Sequence, residues 1–156
     1  MANETIAQVE NAIIAALEAE YATQNGGYAK TIESYSGQFE QAVETVVLLF
    51  PAMLVVFGGD EYNDANGQNT IYNERDRFTV FVGCSNLRGD VARRHGVGSE
   101  IGLYEMLDDV RSTLVGSSLG LDIEPFRIIR RKALHVSKRA NVYALEFETQ
   151  LDYTNL

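Results

Sequence analysis

Apolar positions along the chain switch repeatedly between a period near 3.6 and a period of 2, and each switch marks a new element. In 5–23, Ile6, Val9, Ile13, Ala16 and Leu17 recur at helical spacing. Thr5 with Gln8 makes a capping box, and Asn25-Gly26-Gly27 supplies the stop. Residues 28–35 lean toward a short strand. After Gly37, Phe39, Val43, Val46 and Phe50 share one face of a second helix, which Pro51 halts. The run Phe50–Gly59 is the most apolar of the chain. It is too short to cross a bilayer, and its β-branched content predicts a strand over Met53–Phe57 buried on both faces. Asp60–Thr70 is polar and turn-rich, and predicts a long hairpin loop that faces a partner.

The second half repeats the pattern. Residues 71–84 predict a long strand, with Phe78, Val80, Val82 and Cys84 on the apolar face. Residues 88–98 form a basic, glycine-containing connection. Ser99 predicts the N-cap of a third helix over 100–115, with a stripe of Leu103, Met106, Leu107, Val110 and Leu114. A strand follows in which Phe126 and Ile128, then Leu134 and Val136, alternate around a basic cluster at 130–132. That interruption predicts a bulge or a charged, exposed edge. Lys138-Arg139-Ala140-Asn141 makes a turn. In the last strand Tyr143, Leu145, Phe147, Leu151 and Tyr153 face one way, and Ala144, Glu146, Glu148, Gln150 and Asp152 the other. The expected fold is α+β: one domain over 1–156, with a mainly antiparallel sheet covered on one face by about three helices.

Composition narrows the function classes. The net charge of −9 argues against general affinity for DNA or anionic lipid. The single cysteine, Cys84, cannot form an intramolecular disulfide, and a reducing, cytoplasmic setting is the simplest expectation. Met1-Ala2-Asn3-Glu4 lacks the basic and apolar regions of a signal peptide. The charge is unevenly placed: through Glu61 there are nine acids against Lys30 alone, whereas 126–139 holds Arg127, Arg130, Arg131, Lys132, Lys138 and Arg139 and no acid. Two solvated faces explain this blandly. Head-to-tail self-association, basic patch to acidic patch, explains it more sharply.

Candidate chemistry is sparse. Asp60, Glu61, Asp64 and Asn66 lack the EF-hand spacing, so no metal site is expected. Cys84 reads as a small buried hydrophobe, and His95 and His135 belong to no Cys-His motif. The glycines near 89–98 make neither a phosphate loop nor a dinucleotide fingerprint, and Arg88-Gly89-Asp90 is a chance triplet. Asp108 and Asp109 point about 100° apart on a helix and cannot readily share a site. No catalytic residue and no cofactor are expected. The basic cluster comes without a recognition helix or aromatic ladder, which disfavours a nucleic-acid module.

Three patches carry a resemblance: Ile32–Gly37 with Phe50–Gly59, then Gly102–Arg111 with Leu114 and Gly116, then Val142–Thr149. Together they resemble the small tail proteins of Mu-like contractile-tailed phages and prophages, regarded as tail terminator or tail completion proteins. The resemblance implies a helix-flanked α+β sheet, no catalytic residues, and a ring, commonly a hexamer, on the head-proximal end of the tail tube. It implies as partners the chain itself, the tail tube protein and any sheath, and the neck or head connector. It also implies assembly in the host bacterial cytoplasm followed by residence in the virion tail. A neck or head–tail joining protein, or a tube-like subunit, is the alternative. The interface candidates come from charge and exposure: Arg127, Arg130, Arg131, Lys132, Lys138 and Arg139 on one side, and Asp60, Glu61, Tyr62 and Asp64 on the other.

Overall fold

The structure is a computed structural model that describes residues 3–85, 94–96, 101–136 and 140–154. Helix α1 spans Ile6–Tyr21, and the capping box forms as expected: Gln8 N donates to Thr5 Oγ1 at 3.1 Å, and Thr5 N donates to Gln8 Oε1 at 2.7 Å. Val9, Ile13 and Leu17 are its buried stripe. A 3-10 turn over Thr23–Asn25 follows, closed by Gly26 at φ 85°. At Gly27 a Cβ would sit 2.2 Å from the Tyr21 carbonyl, so only glycine fits there.

Strand β1 (Thr31–Ser34) pairs in parallel with β2 (Ala52–Asp64). The connection between them crosses over one face of the sheet, as a parallel pair requires. It holds two 3-10 turns, Gln38–Glu40 and Val47–Leu49, and a one-turn helix α2 (Val43–Val46). The second full helix expected here therefore does not form. Its large side chains are spent pairwise on a local cluster: Phe39 and Phe50 meet edge to face, and both contact groups around Phe81.

Strand β3 (Ile71–Cys84) forms a hairpin with β2 that is far longer than the sequence predicts. The ladder runs from Ala52↔Gly83 to Asp64↔Tyr72, interrupted by one bulge at Phe57/Gly59. Asp60, Glu61, Tyr62 and Asp64 thus lie on a strand, not in a loop, and the turn is reduced to 65–70. Pairing with β3 satisfies the backbone groups that face it, even though the side chains are turn-like. Helix α3 (Leu103–Leu114) buries all five residues of its predicted stripe. Its N-cap is Gly102, so it begins later than expected; Ser99 lies outside the described residues.

Strands β4 (Arg127–Val136) and β5 (Asn141–Thr154) complete a five-stranded sheet of order β1-β2-β3-β5-β4. The sheet is mixed, because β1 is parallel to its neighbour while the other three pairings are antiparallel. Helices α1 and α3 cover one face over Met53, Val55, Phe78, Val80, Val82, Leu145 and Phe147. The α2 connection covers part of the other face over Ala52 and Val142. This two-sided cover is why Ala52–Val55 are all buried. It is also why Ala144, expected to face outward, is buried. Among the described residues, no helix is long and apolar enough to cross a membrane.

Candidate functional site

The sheet ends in two open edges, and the interface candidates sort onto them. The first edge is β4, which among the described residues pairs only with β5. It carries Arg127, Arg130, Arg131 and Lys132, all exposed, and is bulged at Ile128/Arg130 and at Ala133/His135. The second edge is the outer side of β2 beyond the end of β1. Strand β1 stops at Ser34↔Val55, so Val56–Asp64 has no further strand beside it among the described residues. That stretch carries Asp60, Glu61, Tyr62 and Asp64. Lys138 and Arg139 lie outside the described residues.

The basic edge is partly neutralised within the chain. Arg127 Nη2 donates to Glu148 Oε2 at 2.8 Å, and Arg131 Nη1 to Asp108 Oδ1 at 3.0 Å. Arg130 grips Glu146 with both Nε and Nη2, and this hydrogen bonding holds the Glu146 carboxyl below its ordinary pKa, with Lys132 adding to the effect. Arg127, Arg130 and Lys132 stand on the face shared with Glu146 and Glu148, whereas Arg131 reaches the α3 side. On the acidic edge, Asp64 is occupied locally: its carboxylate accepts from the backbone N–H groups of Asn66, Gly67 and Asn69, which fixes the 65–70 turn.

Sequence reasoning expected Leu134 and Val136 to resume a core alternation. They do not: on the edge strand β4 they are 47% and 52% exposed. With Ile129 they give this edge an apolar surface between its charges. A hollow opens on each side of it. One, of about 340 Å3, is lined by Tyr35, Phe39, Phe81, Leu134, His135 and Val142 among others. The other, of about 380 Å3, is lined by Tyr104, Leu107, Asp108, Arg131 and Tyr143. An exposed apolar edge strand flanked by hollows has the character of a contact surface.

Residues 5–152 match the family described as Bacteriophage Mu, Gp37. The chain belongs to that family. Membership makes it a Mu-like phage protein of the structural, tail-related kind, and bears out the resemblance drawn from Ile32–Gly37, Gly102–Arg111 and Val142–Thr149. No curated protein matches the chain.

Sequence reasoning missed one polar group entirely. On the helix-covered face, where apolar residues should continue, Glu74 and Asp76 are buried beside Asp60. Burial first, and then the adjoining Glu74 carboxyl, pushes Asp76 up to about 8. Tyr62 donates to Asp60 Oδ2 at 3.0 Å, and contact with Glu74, burial and Asp60 hold its phenol well above the usual range. The alternation of β3 carried a signal: Glu74 and Asp76 share the parity of Phe78 and Val80.

Proposed function

We propose that the chain is a tail terminator, which caps the head-proximal end of the tail tube as a homo-oligomeric, sixfold ring. The role is structural, with no reaction assigned to it. The ring ends polymerisation of the tube, and of a sheath where there is one, and offers its far side to the neck or head connector. Assembly takes place in the host bacterial cytoplasm, and the ring stays in the virion tail.

The observation that carries this reading is the pair of unlike edges on one sheet, in a chain of a Mu-like phage family. An edge strand with Arg127, Arg130 and Lys132 on one side of the molecule, and an acidic edge with Asp60 and Glu61 on another, favour a head-to-tail contact between copies. Such a contact is heterologous, and closes into a ring when the rotation per subunit allows. Leu134, Val136 and Ile129 supply apolar area that a lone chain leaves in water. Bulges and charges on β4 discourage pairing with arbitrary strands, so the contact selects its own partner.

Two measurements test the reading. Light scattering on the purified chain, alone and with tail tubes, should give a closed assembly of about six subunits in one of the two conditions. Deletion of the gene should leave tails of aberrant length or tails that fail to join heads. Normal tails beside full heads would instead indicate a neck or head–tail joining protein, and would overturn the terminator assignment.

A further inference from the structure

Where β2 and β3 run toward their turn, the helix-covered face carries carboxylates instead of apolar side chains. Asp60 and Asp76 are register partners across the ladder, and Glu74 lies two residues along β3 on the same face. One oxygen from each of the three lies within 4.8 Å of the other two. Asp76 is 1% exposed, and neither of its carboxylate oxygens meets a hydrogen-bond donor. A buried carboxylate left in this state is strongly unfavourable, so it calls for a compensating charge or proton. Among the described residues, basic side chains do not supply one. Arg75 and Arg77 alternate onto the opposite face, and the charges that act on Asp76 are those of Glu74 and Asp60, both acidic. Three tyrosines adjoin the group: Tyr62, whose hydroxyl is on Asp60, and Tyr72 and Tyr153, whose rings lie 6.2 and 6.4 Å from that of Tyr62.

We propose that Asp60, Glu74 and Asp76 bind one hard divalent cation, calcium before magnesium, near the turn end of the β2–β3 hairpin. The donor set is all oxygen, with no imidazole or thiol, which selects hard cations over transition metals. Calcium–oxygen distances of about 2.3–2.6 Å let oxygens on one ion lie up to about 5 Å apart, and so span this group as it stands. Magnesium, at about 2.0–2.1 Å with near-octahedral demands, would require the carboxylates to draw together. Asp60 lies toward solvent, which gives the ion a route in and leaves positions for water. A cation here ties β2 to β3 beside the acidic stretch Asp60–Asp64. The site was invisible to motif reading because its members come from two strands of a ladder, not from one calcium-binding loop.

The test uses the full chain, freed of metal by a chelator and titrated with terbium(III). The chain has no tryptophan, so tyrosine is the sensitiser. We expect saturable tyrosine-sensitised terbium emission at one ion per chain, displaced by calcium more readily than by magnesium, together with a calcium-dependent rise in the thermal midpoint. Asp76→Asn and Glu74→Gln should each weaken binding by about tenfold or more, since even indirect supports of a metal ligand are worth that much. Asp60→Asn removes a ligand at the solvent side without touching the buried pair, and keeps the test decisive should either buried variant fail to fold. Absence of saturable emission and of any midpoint shift with millimolar calcium or magnesium would overturn the proposal and leave the buried carboxyls sharing a proton. Emission unaffected by Asp60→Asn would place the ion elsewhere and overturn it equally. Better displacement by magnesium would overturn the calcium preference. None of these outcomes bears on ring formation.

Discussion

Reversing the charge on one sheet edge should block assembly, and reversing the other edge should restore it. Arg130 and Lys132 stand on the same face of β4, and Glu61 and Asn63 share the corresponding face of β2. In the variant Arg130→Glu/Lys132→Glu, the chain loses its Arg130–Glu146 pair and places a carboxylate opposite Glu146. Both partners reach solvent, so water screens the lost attraction and the gained repulsion, and the internal cost is small beside the stability of a domain. A domain with roughly 5–15 kcal/mol of stability survives that. Between copies, the contact with the Glu61 carboxylate turns from attraction to repulsion, a swing of about 1–2 kcal/mol at a partly desolvated surface, while the neutral Asn63 adds none. That swing lowers the association constant roughly 5- to 30-fold. Adding Glu61→Lys/Asn63→Lys to the reversed chain should recover most of it, whereas those two changes alone should block assembly as well. Light scattering at low and physiological salt, with tail assembly in a complementation strain as the second readout, would measure this. Unchanged oligomerisation and tail assembly in the reversed chain, or failure of the double reversal to rescue, would refute pairing of these two edges.

Four further variants have outcomes that follow from the structure. Tyr28 donates to Asp109 Oδ2 at 2.7 Å and so pins the segment before β1 to α3; Tyr28→Phe should cost about 1–2 kcal/mol, read as a fall of roughly 2–8 °C in the thermal midpoint. Burial and then Asp109 hold the Tyr28 phenol far above its ordinary range, so its contribution is complete below about pH 10 and is lost as pH rises beyond it; the gap between wild type and Tyr28→Phe should narrow in alkaline unfolding. Phe50, 3% exposed, anchors the connection over Ala52 and Val142, and Phe50→Ala should destabilise by about 3–5 kcal/mol in denaturant titration. Gly83→Ala would set a Cβ 2.2 Å from Phe50 Cε1 and should cost about 1–3 kcal/mol by displacing that ring. Leu134→Asp should leave the isolated chain within about 0.5 kcal/mol of wild type, because the residue is exposed, yet reduce assembly in the same light-scattering assay.

Legibility varied with how local the decisive interactions were. The capping box of Thr5 and Gln8, the stripe from Leu103 to Leu114, and the core parity of Phe78, Val80 and Val82 were all readable, since each rests on spacing within one element. The α2 connection was misread as a full helix because Phe39 and Phe50 pack on each other and on Phe81 across the sheet, not along one helical face. Asp60–Asp64 was misread as a loop because its side chains are turn formers, while a ladder to Tyr72–Asp76 holds its backbone. For the candidate assembly surface, the two charge groups and the bulged, charged edge of β4 were visible in the sequence, but the place of the acidic group on a second open edge was not. The buried carboxylates went unread because their neighbours come from different strands.

By itself the sequence determined the element types, most of the core, the uneven distribution of charge and the family, since these depend on periodicity, composition and ordered motifs along the chain. Tertiary structure alone decided the strand order β1-β2-β3-β5-β4, the parallel pairing of β1, and which stretches of backbone remain unpaired at the edges. It also brought Asp60, Glu74 and Asp76 together and left Leu134 and Val136 in solvent. The physical reason is common to all of these. Hydrogen bonding between strands and burial against another layer are properties of pairs of distant segments, and a side chain's own preference does not say which partner it will meet.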